Sequence, residues 1–504
     1  MKRKTALLAV SGISLLIIGA LLTFYASRRY TVHRYIVDAG SCRMSMDTVR
    51  LANAAPGADV GSVVLFHGIS ANKLIMQYIA RSFAELGFRV YVPDLPGHGH
   101  SPGPFTPVRA EECAASFVRG LAARGLIAPS HTILAGHSMG GAIALRIAEK
   151  VRPAGVIAIS PAPMQEAHGI AGENLLFHGV PRILPNTLVL SARIEPKGLR
   201  ASAEDLVKGS TDPTVCYSLV PWTSHVGVLF SPTAASQLQA WAARVLSVRD
   251  TGRLPSRADL LGCGLGLLAI LLLSGPFIRE ATGKQPQEEP EPARLPTGVR
   301  AAIEVAVVSM LVVLLLRFWL PLRLLHLYEG DYVASFFLLV GLALVLLHPR
   351  LAAAHFRTKP VLLVGAALAG LLLHFLITGW FELTATSSWL TLQRWLRFPV
   401  FFLATFVFLF AVELLAGPVR NAVSRYAFVL LLVALAWLAP VFGAFQLKTG
   451  EILVVLLGGY FALFVLLVNL GAQLVRTMTG SPAAAAVFGA ILLAGFCLVV
   501  FPLS

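Results

Sequence analysis

From Asp259 onward the chain holds eight apolar segments, and no other feature limits its fold as tightly: Asp259–Ile278, Ala301–Pro321, Tyr332–His348, Pro360–Ile377, Phe398–Leu415, Tyr426–Phe445, Ile452–Leu470 and Pro482–Pro502. Each approaches the roughly 20 residues that a helix needs to cross a bilayer, although Tyr332–His348 and Pro360–Ile377 are short. Gly and Ala are frequent within them, as suits helices that pack closely in lipid. Another uncharged stretch, Thr5–Tyr25, follows Met1-Lys2-Arg3-Lys4 and precedes Arg28-Arg29. It is longer than the apolar core of a cleaved signal peptide, so an uncleaved signal anchor is expected. Charged residues are only 13% of the chain, about half the share in a soluble globule.

These segments set the expected domains. Residues 1–29 form the anchor, 30–250 a polar domain, and 251–504 a membrane domain of about eight helices with a Pro/Glu-rich solvated loop at 280–297. Ser387–Phe398, with Trp389 and Trp395, suits a short interfacial helix. With the N-terminus in the cytoplasm, thirteen Lys and Arg residues fall on the inner side, from Lys2 to Arg476. Only Arg323, Arg394, Arg397 and Lys448 fall in the outer connections after Asp259. That asymmetry puts residues 30–250 outside the cytoplasm, with a bacterial cytoplasmic membrane as the expected setting. The formal net charge of +15 is not gathered into a nucleic-acid face, so no nucleic-acid partner is expected. The five cysteines show no zinc spacing, and no metal or cofactor is expected. The odd number in the polar domain (Cys42, Cys113, Cys216) argues against a complete disulfide framework. Glu304, Arg317, His374 and Glu413 lie in or near the spans, where ionisable groups invite a second role such as transport.

Within 30–250, strand and helix signals alternate. Strands are expected at Val60–Phe66, Phe88–Val92, Thr132–Ala135, Ala154–Ile159, Thr187–Leu190 and Val215–Val220. Helices are expected at Lys73–Leu86, Arg109–Arg124, Ala142–Ala148, Ala201–Val207 and Ala234–Val245. The alternation predicts an α/β fold, a mostly parallel sheet with helices on both faces, beside the all-α membrane domain. Sites in such sheets lie at the carboxyl ends of strands. His67, Asp94, Ser138, Ser160 and Glu195 all fall just past strand ends.

Gly136-His137-Ser138-Met139-Gly140-Gly141 joins an expected strand to an expected helix. A G-x-S-x-G turn in that context is a nucleophile elbow, whose tightness requires the small residues Gly136 and Gly140. A serine hydroxyl needs a base, and the base needs a third group to hold it. His225, after the last expected strand, is the candidate base; His168 and His178 fall in a loop and read as surface or lid residues. Glu195 is the candidate acid, with Asp205 and Asp212 as alternatives. Oxyanion donors are expected from the backbone N–H of Met139 and, in the turn after His67-Gly68, of Ile69. His67 is expected to shape that turn, and Asp94–Ser101 to form a structural loop beneath the site.

Val64-Leu65-Phe66-His67-Gly68, Asp94-Leu95-Pro96-Gly97-His98-Gly99-His100-Ser101, Gly136–Gly141 and Ile159-Ser160-Pro161 together resemble the α/β-hydrolase superfamily, in particular its monoglyceride-lipase and serine-aminopeptidase group. The resemblance covers the polar domain alone. It implies an eight-stranded sheet, no metal, and Ser138, Glu195 and His225 as a triad. Family members usually carry Asp where this chain has Glu195. Their cap is usually a sizeable helical insert, whereas only about residues 161–186 are free for one here. Met164, Leu175, Leu176 and Phe177 in that stretch are candidate lid residues, lining an acyl pocket or simply packing. The expected activity is hydrolysis of acyl or lipid-type carboxylic esters through an acyl-enzyme, with small-molecule or lipid esters and membrane lipids as partners and no oligomeric state implied. The alternatives are an aminopeptidase or amidase, and a transporter or sensor with a ligand-binding hydrolase-like domain.

Overall fold

The computed structural model describes residues 2–55, 57–282, 298–318, 324–355 and 358–504. The Pro/Glu-rich stretch from 283 to 297, and the end of the expected span at 319–321, lie outside the described residues. The chain forms two compact units. One comprises Ile18–Gly264, Phe381–Ser388 and Pro502–Ser504, the other Met1–Ile17, Leu265–Trp380 and Trp389–Phe501.

The first unit is built on an eight-stranded sheet. After helix α1 (Lys2–Ser27) come β1 (Tyr30–Ala39), β2 (Cys42–Leu51), β3 (Ser62–Phe66), α2 (Gln77–Glu85), β4 (Arg89–Pro93), α3 (Pro107–Ala123), β5 (Thr132–His137), α4 (Met139–Val151), β6 (Gly155–Ile159), β7 (Thr187–Ile194), α5 (Lys197–Lys208), β8 (Val215–Ser224) and α6 (Pro232–Val245). The strand order is β1-β2-β4-β3-β5-β6-β7-β8. Pairing is antiparallel at β1–β2 and β2–β4 and parallel elsewhere. Strands β3, β5 and β6 are buried along their whole length because helices cover both faces, which is why they read as continuous apolar runs. Val63, Leu65, Ile79, Phe83, Ile133 and Trp241 belong to the core beneath.

The β1–β2 hairpin was not expected. Its residues mix polar and apolar types without clean alternation, because β1 is a largely exposed edge strand. A tight turn at Gly40, with φ of +64°, pairs Ala39 with Cys42. Cys42 is disulfide-bonded to Cys113 of α3 across 71 residues, tying the hairpin to the helical layer. Cys216 stays free. Residues 73–76 are turn, so α2 starts later than the sequence predicts. Lys73 is drawn inward there: its Nζ donates to Asp94 Oδ2 at 2.5 Å and to Ser45 Oγ at 2.9 Å. Strand β7 runs past Leu190 because Ser191 and Ala192 keep pairing with Leu219 and Val220.

The second unit is helical: α7 (Ala258–Thr282), α8 (Gly298–Phe318), α9 (Gly330–Leu347), α10 (Pro349–His355), α11 (Pro360–Thr384), α12 (Leu392–Trp395), α13 (Phe398–Leu415), α14 (Ala422–Gln446), α15 (Ile452–Leu456), α16 (Gly458–Thr479) and α17 (Pro482–Val500), with α1, α7 and α11 straddling the unit boundaries. Among the described residues, nine helices, α1 included, are long and apolar enough to cross a membrane. Two differ most from expectation. Helix α11 continues beyond Ile377 to Thr384, and the expected span Ile452–Leu470 is broken at Leu457, with its main part running on to Thr479. The polar residues in these helices have local partners. Glu413 accepts from Arg476 at 3.0 Å and from Gln473 at 2.6 Å, and Gln473 in turn accepts from Arg425. Glu304 pairs with Arg300 and His348, both at 2.8 Å. Arg317 donates to the carbonyl of Leu447, and buried His374 lies edge-on to Trp395.

Candidate active site

The elbow forms as its sequence requires. Strand β5 ends at His137, helix α4 starts at Met139, and Ser138 between them has φ of 53° and ψ of −116°. A non-glycine residue in that region is strained and persists only where its surroundings hold it. Here the Ser138 N–H donates to the Ile159 carbonyl at 2.9 Å, and the Ser138 carbonyl accepts from Ala142 and Ala162. A Cβ on Gly136 would collide with the Gly140 carbonyl, and one on Gly140 with that of Phe66, so neither position admits a side chain.

His225 follows β8, and Glu195 follows β7, two neighbouring parallel strands. Their carboxyl ends bring the pair together: His225 Nδ1 lies 2.8 Å from Glu195 Oε2. The Glu195 side chain is 1% exposed and that of His225 18%. Neither alternative acid reaches His225. Asp205 is engaged by His168 at 2.6 Å and by Lys208 at 3.5 Å, and Asp212 accepts from Thr214.

His137 is a contributor that the sequence reading did not single out. Its Nε2 lies 2.7 Å from the His225 carbonyl oxygen, so Nε2 carries the proton and donates it. The two rings are 4.8 Å apart, centroid to centroid. His137 thus fixes the backbone of His225 from the position directly before Ser138. A histidine inside a G-x-S-x-G turn, where the strand is fully buried, was the available signal. Burial, with His225 as a second cause, lowers the His137 pKa from 6.5 to about 3. The unfolded imidazole therefore takes a proton below about 6.5 that the folded one refuses. Stability is intact above that pH and falls as pH drops from about 6.5 toward 3. Thermal unfolding of the full chain in detergent should show this acid limb, and His137→Gln should flatten it; an unchanged slope would contradict the assignment.

The turn after β3 lies against Ser138: a Cβ on Gly68 would sit 3.1 Å from the Ser138 Cβ and 3.0 Å from His137 Nδ1. Buried His67 shapes this turn. Its Nε2 accepts from the Leu95 N–H at 2.9 Å, which leaves Nδ1 to donate to the Gly68 carbonyl at 2.8 Å. Burial lowers its pKa against the pull of Asp94, in keeping with a neutral ring. Asp94 is fully buried, which alone would raise its pKa, yet the Lys73 ammonium brings it below the usual carboxylate value. Asp94 also accepts from the N–H groups of Lys73 and His100, so it organises the loop beneath the site. Met139 is the first residue of α4, so its N–H has no partner within the helix. Ile69 lies in the turn between Gly68 and Ala71, whose N–H donates to the Gly68 carbonyl.

The 161–186 stretch contains no α-helix, only a single 3-10 turn at Gly172–Asn174. Met164 and Phe177 are buried, with the Arg146 guanidinium over the Phe177 ring. Leu175 and Leu176 are half-buried. Arg146 also donates to the carbonyls of His178 and Gly179, which fastens the stretch to α4.

Residues 57–247 match the family described as serine aminopeptidase, S33. No curated protein matches the chain. Similar solved structures include a serine hydrolase of Xanthomonas campestris described as lacking a lid, at 17% identity and TM-score 0.35 over 43% of this chain and 94% of that one. An esterase of Thermogutta terrifontis is 17% identical, with TM-score 0.33 over 42% of this chain and 99% of that one. Est1E from Butyrivibrio proteoclasticus is 13% identical, with TM-score 0.35 over 42% and 99% respectively. The family match falls on the strands and turns that carry Ser138, Glu195 and His225, and over these residues the chain is similar to the α/β serine hydrolases.

Proposed function

We propose that the protein is a membrane-held serine hydrolase that cleaves carboxylic esters of acyl or lipid type through an acyl-enzyme on Ser138. The observation that carries this reading is the 2.8 Å contact between His225 Nδ1 and the buried Glu195 carboxylate, made beside the strained elbow. Glu195 holds the tautomer that leaves His225 Nε2 free to take the Ser138 proton. The Ser138 oxygen attacks the ester carbonyl, and the N–H groups of Met139 and Ile69 stabilise the oxyanion. Collapse of the tetrahedral species breaks the ester C–O bond, and His225 returns the proton to the departing alkoxide. Water then repeats the sequence on the acyl-enzyme and releases the acid. No cofactor enters any step.

Bulky apolar surface near the site supports an acyl substrate. Trp222, close to His225, is 89% exposed, and Ile194, next to Glu195, is 61% exposed. The second reading, an aminopeptidase, is favoured by the description of the matching family. Purified full-length protein should be labelled by a fluorophosphonate and should hydrolyse a chain-length series of p-nitrophenyl esters faster than aminoacyl-anilides. The reverse order of rates would make it a peptidase, and absence of labelling would overturn both.

The nine apolar helices support residence in a membrane, with membrane lipids as neighbours. A side away from the cytoplasm suits the sheet-bearing unit, because its Cys42–Cys113 disulfide belongs in an oxidising compartment. Counting helices from a cytoplasmic N-terminus puts Phe381–Ser388 and Pro502–Ser504 on that same side, and both belong to the sheet-bearing unit. Protease added to intact spheroplasts expressing the chain should cut within residues 30–250; full protection would reverse the orientation.

A further inference from the structure

The oxyanion turn ends at Asn72, and the partner of Asn72 is more than three hundred residues away in sequence. Its Nδ2 donates to Thr386 Oγ1 at 2.7 Å, and its Oδ1 accepts from the Ser387 N–H at 3.0 Å. Asn72 is 4% exposed, so this two-way contact is shielded from water. The same Oδ1 accepts from the Leu74 N–H at 3.1 Å, which sets the exit of the turn. Phe381–Ser388 is held at a second point: Glu382 Oε1 lies 3.4 Å from His100 Nε2 and 3.7 Å from Arg34, and Glu382 Oε2 accepts from the Ser388 N–H. Another short segment grips the neighbouring loop. The Leu503 N–H donates to the Gly97 carbonyl at 3.0 Å, and the Leu503 carbonyl accepts from Phe105. That loop begins at Leu95, whose N–H sets the His67 ring.

Phe381–Thr384 is the last turn of α11, whose preceding residues belong to the other unit.

We propose that Phe381–Ser388 is a positioning element for the oxyanion turn. Through Asn72, Thr386 and Ser387 hold the backbone that carries Ile69, so ester turnover depends on these two contacts. The inference rests on the hydrolase reading above and on Ile69 as an oxyanion donor. A donor displaced by a fraction of an ångström is felt in the transition state before it is felt in substrate binding.

The test uses the full chain in detergent or nanodiscs, with p-nitrophenyl ester kinetics, fluorophosphonate labelling rates and thermal midpoints. Thr386→Val removes only the hydroxyl and should lower kcat by about tenfold with KM within about twofold, as expected for misplacement without loss of binding. Asn72→Ala should lower kcat further. Asn72→Asp keeps the acceptor for Leu74 and Ser387 and offers one to the Thr386 hydroxyl, but it turns an oxygen toward the Ser387 carbonyl, to which Asn72 Nδ2 donates at 3.4 Å, so it should recover only part of the loss. Labelling rates should follow kcat. Wild-type kcat in both Thr386→Val and Asn72→Ala overturns the proposal while the hydrolase reading stands. A loss confined to Asn72→Ala also overturns it, since Asn72 would then act through Leu74 alone. Parallel loss of kcat, KM and thermal midpoint would mark a merely structural contact and overturn it too. A wild-type chain that resists labelling overturns the hydrolase reading and this proposal together.

Discussion

Replacing Ser138 with alanine should lower kcat toward p-nitrophenyl esters by about 10⁵–10⁶-fold and abolish fluorophosphonate labelling, while the thermal midpoint of the full chain should hardly move. The size follows from the chemistry. Without Oγ there is no nucleophile to receive the acyl group, and only binding and the oxyanion donors are left to speed direct attack by water. The small structural effect follows from the backbone. Ser138 is held by its N–H to Ile159 and by its carbonyl to Ala142 and Ala162, none of which involves the hydroxyl. A Ser138→Ala protein that still turned over ester at the wild-type rate would move the nucleophile elsewhere.

The second large effect belongs to Glu195. Glu195→Gln should lower kcat by about 10⁴-fold, because an amide can present its NH₂ to His225 Nδ1 and so favour the wrong tautomer. Glu195→Asp shortens the reach to Nδ1 by a methylene and should give an intermediate loss. Asp205→Asn and Asp212→Asn are the controls and should leave kcat near wild type, since Asp205 is occupied by His168 and Lys208 and Asp212 by Thr214. Steady-state kinetics on the set decides the matter. A loss in Asp205→Asn comparable to that in Glu195→Gln would remove Glu195 from its role.

How much of this was legible in the sequence depended on which physical signal each element leaves. The parallel strands at the centre of the sheet were legible because burial on both faces leaves an unbroken apolar run, as in Val63 to Phe66 and Ile133 to Ala135. The elbow was legible because steric crowding at Gly136 and Gly140 leaves a mark that no other residue can make. The β1–β2 hairpin was not, since the edge strand β1 is exposed on both faces from Val32 to Ile36 and needs no apolar run. The Cys42–Cys113 bond was hidden by a third, unpaired cysteine in the same domain. Lys73 looked like the start of a helix, and only the distant Asp94 turns it inward. The acid could be narrowed from chain order, but separating Glu195 from Asp205 required the register of β7 against β8. Asn72 and Thr386 carry no local signal at all, because their relation exists only after folding.

The sheet-bearing unit is sewn from three stretches of chain, and the later two arrive late in synthesis. A nascent polypeptide whose hydrolase residues have left the ribosome still lacks Ser387 to meet Asn72 and Leu503 to meet Gly97. Those contacts form only after the helices that precede Phe381 and Pro502 have been made. A recombinant fragment cut at residue 250 would lack both partners, so Asn72 and Gly97 would lose the contacts that the full chain gives them.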